Sequence, residues 1–238
     1  MGEGAVLRAD ALGVAGPQGP LLADVTLEAH AGRVLAVTGS SGSGKTTLLS
    51  VLGGLVRPDC GAASFAGQPV GTRTGEPRTG TAFVLQSYGL VPSLTAEENV
   101  AIALRTRKVK PGDDVRRAHA ALARVGVADL AERLVTELSG GQLQRVAVAR
   151  ALAVEPDVLL ADEPTSQLSH DDRDAMVELI HVVNRELGTT VVLVTHDPEV
   201  AAMCDEELHL VDGRLVDVPV AVGESGPAHE HDLFRRPR

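Results

Sequence analysis

The chain has 238 residues, of which 44% are hydrophobic and only 2% aromatic. Its 22 basic and 32 acidic residues give a net charge of −10, so we expect no overall basic surface and no nucleic acid as partner. No apolar run approaches the roughly 18 residues that span a bilayer, and the start lacks a signal-peptide pattern. We therefore expect a cytosolic protein that needs a partner for any work at a membrane.

The first third of the chain predicts short strands around one helix. Apolar and polar residues alternate over 25–28, which is typical of a half-buried strand. A continuous apolar run at 34–37 predicts a buried strand that ends at a Gly/Ser-rich turn, and 47–55 predicts the helix that follows. Two further strands are expected at 62–65 and 81–85, with turns between them at 67–80.

The middle of the chain, about 87–156, predicts an all-helical insertion. Thr95 followed by Glu98 has the pattern of a capping box, and Gly126 has the position of a helix C-cap. Three helices are expected, over 95–104, over 115–125 and from Ser139 onwards.

The last third returns to strands. Strands are expected at 158–161 and 191–194, and a helix between them at 172–187. The two arms of a hairpin are expected at 205–211 and 214–218. Gly188 stops the helix, and Asp212-Gly213 is typical of a β-hairpin turn. Buried strands that alternate with helices favour an α/β fold with a mostly parallel sheet. The tail at 219–238 has no periodicity, so we expect it to be mobile.

The clearest chemical signal lies between the strand at 34–37 and the helix after it. The pattern G-x-x-x-x-G-K-[ST] is matched by Gly39-Ser40-Ser41-Gly42-Ser43-Gly44-Lys45-Thr46, with Thr47 next. Glycines let backbone N–H groups turn around phosphate oxygens, and the helix N-terminus adds positive potential. We expect Lys45 to reach the β- and γ-phosphates and the Thr46 hydroxyl to bind Mg²⁺. The alternative is a flexible Gly/Ser loop.

Two acidic residues, Asp162 and Glu163, directly follow the apolar run at 158–161. Ligands bind at the carboxyl ends of strands in an open parallel sheet. We therefore expect Asp162 to hold Mg²⁺ and Glu163 to polarise an attacking water. The alternative is a solvated strand end, which the phosphate loop in the same chain makes the weaker interpretation.

A second glycine-rich helix start is formed by Ser139-Gly140-Gly141-Gln142. Ser139 would cap a helix whose first turn offers its N–H groups to an anion, as the phosphate loop does. From these residues alone, a plain helix cap is the better interpretation.

Together these motifs resemble those of the ABC ATPases, the nucleotide-binding subunits of ATP-binding-cassette transporters. Residues 138–142 match the family's signature motif, Gln86 its Q-loop, 166–169 its D-loop and His196 its switch histidine. The motifs stand in family order, and the resemblance covers about 5–218 of the chain. The stretch 83–100 is most similar to the branch of lipoprotein-releasing, macrolide-exporting and antimicrobial-peptide-resistance ATPases.

The resemblance implies a P-loop NTPase core with an antiparallel β subdomain near the N-terminus, in one domain at 1–218. It implies MgATP hydrolysis, with Mg²⁺ held by Thr46, Gln86 and Asp162 and with catalytic roles for Glu163, His196 and Gln86. It implies a head-to-tail homodimer, in which each ATP lies between one phosphate loop and the other subunit's Ser139 helix.

The implied second partner is a transmembrane permease that exports or extracts a lipophilic or peptide-like substrate. The protein would then lie on the inner face of the cell membrane, held there by the permease.

Two positions depart from the family's pattern. The D-loop usually ends in Asp, whereas Ser169 stands here, which puts the contacts between the two ATP sites in question. The family usually stacks an aromatic side chain on adenine, but residues 1–38 contain no Phe, Tyr or Trp, and the equivalent position is expected near Val14. We therefore expect weak nucleotide affinity and poor discrimination of ATP from GTP. The alternatives are stacking by Tyr88 or by the permease, or a solvated base.

Four apolar residues follow Gln86 closely, and they are Tyr88, Leu90, Val91 and Leu94. They form either an exposed docking patch for permease helices or a layer packed beneath the helical insertion.

Two other functions stay open. A soluble ABC ATPase of DNA repair or the ribosome would need coiled-coil insertions, zinc motifs or tandem cassettes. A division-type subunit would transmit force to a membrane partner without moving cargo.

Overall fold

The computed structural model describes residues 5–71 and 78–216. Within them the strands, numbered along the chain, are β1 (Val6–Gly16), β2 (Gly19–His30), β3 (Val34–Thr38), β4 (Cys60–Phe65), β5 (Gln68–Pro69), β6 (Thr81–Val84), β7 (Val158–Asp162), β8 (Thr190–Val194), β9 (Glu206–Val211) and β10 (Arg214–Val216). The α-helices are α1 (Lys45–Leu52), α2 (Ala96–Thr106), α3 (Asp113–Arg124), α4 (Gly140–Ala153), α5 (His170–Leu187) and α6 (Pro198–Ala202). The tail at 219–238, expected to be mobile, lies outside the described residues.

The strands form two sheets. An antiparallel sheet has the order β2-β1-β4-β5, and a six-stranded sheet has the order β10-β9-β3-β8-β7-β6. In the second sheet every neighbouring pair is parallel except β9 and β10, which are joined by the predicted hairpin turn. The α/β fold with a mostly parallel sheet and a separate antiparallel sheet is therefore confirmed.

The central strands β3, β7 and β8 are buried along their whole length, because the sheet is covered on both faces. Successive side chains point to opposite faces. Leu160 and Val192 pack with α1 and the antiparallel sheet, whereas Leu159 and Leu193 pack with the helical insertion and α5. Because these strands are parallel, their carboxyl ends lie at one edge of the sheet.

The helical insertion carries the predicted caps. The Thr95 hydroxyl accepts a hydrogen bond from the Glu98 backbone N–H (3.1 Å), and the Glu98 carboxylate accepts one from the Thr95 N–H (2.9 Å). Gly126, at φ +73°, lies one residue beyond the C-cap of α3. None of the helices in the described part of the chain combines the length and apolar content that crossing a bilayer requires.

Strand β1 was absent from the predicted elements, although it pairs with both β2 and β4. Its first residues alternate as a strand should, with Leu7 and Ala9 buried and Arg8 exposed. The alternation then breaks at Ala11, which has φ +47° and precedes shifts in both registers. A bulge of this kind removes the period-2 signal on which the prediction depends.

Candidate functional site

The phosphate loop joins the buried strand β3 to α1. Lys45 is 9% exposed, and its ammonium group donates hydrogen bonds to the carbonyl oxygens of Gly39 (2.7 Å) and Ser40 (2.8 Å). Gly44 caps α1 at φ +105°, and a Cβ atom there would clash with the Leu21 carbonyl oxygen. The loop is thus held in a closed turn that only glycine allows at this point.

The two acidic residues predicted at the end of β7 both lie beside this loop. Asp162 and Glu163 are each 8% exposed, which is unusual for carboxylates. The Thr46 hydroxyl donates a hydrogen bond to Asp162 Oδ2 at 2.8 Å. The first turn of α1 and the carboxyl end of β7 therefore bring hydroxyl and carboxylate oxygens together, as predicted.

Glu163 and His196 form the second close pair. His196 Nδ1 lies 2.8 Å from Glu163 Oε1, and it donates the hydrogen bond because an ionised carboxylate only accepts. Glu163 has φ +51°, a conformation that L residues rarely adopt. The Glu163 N–H donates to the Val194 carbonyl oxygen (2.9 Å), and its carbonyl accepts from Ser166. Backbone contacts from both sides hold this strained residue in place.

These groups line one open pocket of about 530 Å³. It is formed by the residues that follow β3, β6, β7 and β8, so four parallel strands meet there at their carboxyl ends. The lining residues are Leu21, Ser41, Gly42, Gly44, Lys45, Thr46, Thr47, Gln86, Asp162, Glu163 and His196. All of these except Leu21 were predicted from the sequence.

The side chains at this pocket are of the kinds that bind a phosphate group and its metal ion. Lys45 offers an ammonium group to phosphate oxygens. The hydroxyl of Thr46, the carboxylate of Asp162 and the amide oxygen of Gln86 are the oxygen ligands that Mg²⁺ prefers. The residues present fit a phosphate group with its magnesium ion.

The second glycine-rich helix start lies outside that pocket. Ser139 caps α4 with a complete capping box: its hydroxyl accepts from the Gln142 N–H (3.4 Å), and the Gln142 side chain accepts from the Ser139 N–H (2.9 Å). A Cβ atom at Gly140 would lie 3.3 Å from the Tyr88 hydroxyl, and one at Gly141 would lie 3.3 Å from Leu168. The start of α4 is therefore flanked by the segments that follow Gln86 and Glu163.

Arg150 of α4 fastens the segment after Gln86. Its guanidinium donates to the carbonyl oxygens of Tyr88 (2.8 Å) and Gly89, two successive residues with left-handed backbone at φ +62° and +61°. Burial lowers the pKa of Arg150 from its usual value. The segment's conformation depends on these charge-assisted hydrogen bonds.

The predicted apolar patch after Gln86 is only partly exposed. Val91 is 39% exposed, whereas Leu90 packs against the core of the helical insertion, and Tyr88 and Leu94 are half-buried. Of the two alternatives, packing beneath the helical insertion therefore describes Leu90, and exposure describes Val91. Asn99 is completely buried and bonds to the backbone of Val91, which keeps the exposed valine next to the packed leucine.

Ser169 stands where the family's D-loop usually has aspartate, and in this structure it caps α5. Its hydroxyl accepts from the Asp172 N–H (3.4 Å) and donates to the Asp172 carboxylate (2.8 Å), so α5 begins at His170, two residues before the predicted start. Arg145 of α4 also binds that carboxylate at 2.7 Å. The Ser169 hydroxyl, and then Arg145, lower the pKa of Asp172. The carboxylate at 172 thus ties the first turn of α5 to α4.

The position expected to face the base, Val14, was wrong. Val14 is 8% exposed, pairs with Leu22 of β2 and packs in the core, because the irregular register of β1 turns it inward. The residue that lines the pocket is Leu21 of β2, at 39% exposure. Leu21 lies before the strand predicted at 25–28, so the sequence analysis gave no signal for it.

The family model described as ABC transporter matches residues 22–166. The chain belongs to the ABC transporter family. It is 41% identical over 221 residues to the lipoprotein-releasing system ATP-binding protein LolD of Bordetella pertussis, covering 89% of this chain and 96% of that protein. It is 42% identical over 200 residues to the uncharacterized ABC transporter ATP-binding protein YbbA of Escherichia coli, covering 82% and 88%.

Among solved structures, the ATP-binding cassette MJ0796, a dimer bound to ADP and Pi, matches with a TM-score of 0.80 at 31% identity, covering 88% of this chain and 96% of that one. The resemblance to ABC ATPases of the lipoprotein-releasing branch is therefore confirmed. As an ABC ATPase, the chain is assigned ATP binding and hydrolysis, and its pocket at the strand ends is the candidate site for that chemistry.

Proposed function

We propose that this protein hydrolyses MgATP at the pocket formed by the strand ends and that it drives a separate membrane permease from the cytoplasmic side. The observation that carries the proposal is the meeting of Lys45, Thr46, Asp162 and Glu163 in one pocket. A cation, a hydroxyl and two buried carboxylates lie there beside a phosphate loop, which is the set that phosphoryl transfer to water requires.

Each side chain has one task in this proposal. The Lys45 ammonium exchanges its carbonyl partners for phosphate oxygens, and the amides of the loop bind the same group. Glu163 accepts a proton from the attacking water, since it is the carboxylate that Thr46 does not occupy. His196 orients Glu163 through its Nδ1–H, and in the doubly protonated ring its Nε2–H would donate a hydrogen bond to the γ-phosphate.

Magnesium fits beside these groups. Thr46, Asp162 and Gln86 would hold the ion, and when bound it would neutralise charge on the phosphate oxygens. Because Thr46 and Asp162 already bond to each other, their oxygens are preorganised for that task.

The second phosphate-binding element comes from another copy of the chain. The helix start formed by Ser139, Gly140, Gly141 and Gln142 lies outside the pocket, so in a head-to-tail dimer it would close over the partner's nucleotide. The dimer of the related cassette bound to ADP and Pi supports this arrangement. A helix N-terminus that meets a γ-phosphate binds it through N–H groups and dipole.

The permease is the remaining partner. Leu85 and Val91, at 38% and 39% exposure, lie on either side of the segment after Gln86 and offer apolar contacts to its cytoplasmic helices. The similarity to a lipoprotein-releasing ATPase favours a lipophilic or peptide-like substrate that is exported or extracted. Co-purification of the permease, followed by an assay for substrate movement, separates this function from force transmission without cargo.

The test of hydrolysis is Glu163→Gln, which keeps the shape of the side chain and removes the base. We expect turnover to fall roughly 10²-fold or more while ATP binding persists and an ATP-dependent dimer accumulates on size-exclusion chromatography. Glu178→Gln, which changes an exposed surface pair with Arg185, serves as the matched control. Normal turnover in the Glu163 variant would remove Glu163 from the mechanism.

A further inference from the structure

The segment that follows β8 carries His196 and then packs along α5. The His196 side chain is 68% exposed, so packing contributes little to its position, and its hydrogen bond to Glu163 depends on the backbone on either side of it. On the strand side, Thr195 is completely buried, and its N–H donates to the Val37 carbonyl oxygen (3.2 Å). On the other side, the position of His196 depends on how the segment 197–203 is held.

Arg173 of α5 holds the residues that directly follow His196. Its guanidinium donates hydrogen bonds to the Asp197 carboxylate (2.6 Å) and to the Glu199 carboxylate. It also contacts the Asp174 carboxylate on its own helix at 3.3 Å, and the arginine side chain is only 13% exposed. A guanidinium binds carboxylates in a rigid planar fork, so these contacts restrain direction as well as distance.

Asp197 binds two partners at once. Its Oδ1 accepts from the Glu199 N–H (2.9 Å) and so caps α6, while its Oδ2 accepts from Arg173. Burial favours the neutral form of this carboxyl, but the Glu199 N–H and the Arg173 guanidinium outweigh burial and lower its pKa from the ordinary value. Beyond α6, the Nε2–H of His181 in α5 donates to the Met203 carbonyl oxygen (2.8 Å). The segment after His196 is therefore tied to α5 at both ends.

Two contacts join the same pair of chain segments. Glu163 and Arg173 lie between the end of β7 and the first turns of α5, and His196 and Asp197 are neighbours after β8. The hydrogen bond between Glu163 and His196 and the ion pair between Arg173 and Asp197 therefore close one ring. Displacement of Asp197 in this ring would also displace His196. Arg173 itself is not among the residues that line the phosphate pocket.

We propose that Arg173 is a positioning residue for ATP hydrolysis: it fastens Asp197 to α5 and thereby keeps His196 in place beside the pocket. This inference rests on the proposed role of His196 and names the contact on which that role depends. Because Arg173 does not line the pocket, its loss should slow turnover without weakening nucleotide binding. A misplacement of about 1 Å at a reacting group can cost roughly 100-fold in rate.

Turnover and affinity of Arg173→Ala, measured on the purified full-length chain, test the inference. We expect kcat to fall at least about fivefold, while the dissociation constant for the β,γ-imido form of ATP with Mg²⁺ stays within about twofold of wild type. The matched control is Arg185→Ala, which removes an exposed arginine of the same helix, paired with Glu178, and should change neither value. Wild-type kcat in Arg173→Ala would overturn the inference, as would a loss of affinity equal to the loss of kcat.

Asp197→Asn breaks the same contact and keeps the cap of α6. The asparagine oxygen still accepts from the Glu199 N–H, and the NH₂ group then faces the Arg173 guanidinium, which has no acceptor for it. We expect a similar fall in kcat, and the double variant with Arg173→Ala should be no slower than the slower single variant. If Arg173→Ala does not fold, Asp197→Asn decides the question, and wild-type kcat in that variant would overturn the inference.

A His196→Ala background separates positioning of His196 from general support of the fold. In that background Arg173→Ala should cause no further fall in single-turnover phosphate release, because the group that Arg173 positions is gone. A fall as large as in the wild-type background would overturn the inference. Wild-type turnover in His196→Ala alone would instead overturn the proposed role of His196, and a wild-type protein that does not hydrolyse ATP would overturn the proposed function.

Discussion

The two glycine-rich helix starts of this protein differ in whether side chains of the same chain bind their backbone N–H groups. The start of α1 follows Gly44, which has no side chain to cap the helix, so its N–H groups face the pocket beside Lys45. The start of α4 follows Ser139, whose capping box with Gln142 satisfies two backbone groups within the chain. The same sequence device therefore gives one start that is open to phosphate and one that is closed by its own side chains.

The two starts also differ in how they are held. The strand before α1 lies between β8 and β9 in the parallel sheet, so its position is set by strand pairing. In contrast, α4 is fastened to neighbouring segments by arginines, through Arg150 to Tyr88 and through Arg145 to Asp172. The start of α1 is therefore open to phosphate in a single chain, and in the proposed dimer α4 would contribute when a second chain brings a nucleotide to it.

The largest loss of nucleotide affinity should come from removing the Lys45 ammonium group at the start of α1. Lys45→Ala deletes charge-assisted phosphate contacts worth about 1.5–3 kcal/mol, so we expect nucleotide affinity to fall roughly 10- to 100-fold. Isothermal titration of the isolated subunit with Mg²⁺ and the β,γ-imido form of ATP measures it. Lys110→Ala changes an exposed lysine of the helical insertion and should leave affinity unchanged. Wild-type affinity in the Lys45 variant would show that phosphate binds elsewhere.

The closed start should respond differently. Ser139→Ala should leave the affinity of the isolated subunit unchanged and lower turnover at least about tenfold, because the lost hydroxyl acts only in the dimer. Loss of the cap should also cost about 1 kcal/mol of stability. Thr95→Ala is the matched control, since it opens an equivalent capping box on α2 and should keep its turnover. Equal losses of turnover in the two variants would reduce Ser139 to a helix cap.

A smaller effect is expected from the contact between Tyr88 and Gly140. Gly140→Ala places a methyl group 3.3 Å from the Tyr88 hydroxyl, a slight overpacking worth at most about 1–3 kcal/mol. Turnover should fall by less than in Ser139→Ala, and adding Tyr88→Phe should restore part of it by removing the crowded oxygen. If the double variant is as slow as Gly140→Ala alone, the methyl group acts on the bound phosphate and not through Tyr88.

The smallest effect concerns acid stability. The pKa of Asp172 is lowered in the folded chain by the Ser169 hydroxyl and Arg145, so protonation favours the unfolded state. The stabilisation should be fully present above the ordinary aspartate pKa of about 4 and be lost as the pH falls below it. Melting curves should therefore show a difference between wild type and Asp172→Asn at neutral pH that shrinks in acid. A difference of the same size at every pH would contradict this assignment to Asp172.

The sequence predicted the elements with continuous or regular patterns and missed the irregular ones. β3, β7 and β8 were found because strands buried on both faces are apolar throughout. α2 was found from its capping box, and α4 from the cap at Ser139 and the helical spacing of its apolar residues. Strand β1 was missed because its bulge at Ala11 breaks the alternation. The start of α5 was placed late, although Ser169 followed by Asp172 is itself a capping signal.

The candidate site likewise contains residues that the sequence predicted and one that it missed. Lys45, Thr46, Asp162, Glu163 and His196 were predicted because strand-end chemistry is local to each motif and the parallel sheet then brings the motifs together. Leu21 could not be found, because its place depends on the close approach of Gly44 and Gly213 to its carbonyl oxygen, and both glycines are distant in the chain. The position near Val14 was chosen by counting back from the phosphate loop, and the register shifts of β1 make such a count unreliable.

In the proposed dimer, one phosphate loop and the α4 start of another copy form each working site. Mixing Lys45→Ala subunits with Ser139→Ala subunits tests it directly, with phosphate release as the readout. In a head-to-tail mixed dimer, both substitutions fall in one site and the other site is intact. Each variant alone should be nearly inactive, and an equal mixture should regain up to roughly a quarter of wild-type turnover, since half of the dimers are mixed and each holds one intact site. A mixture no more active than its two components would contradict the claim.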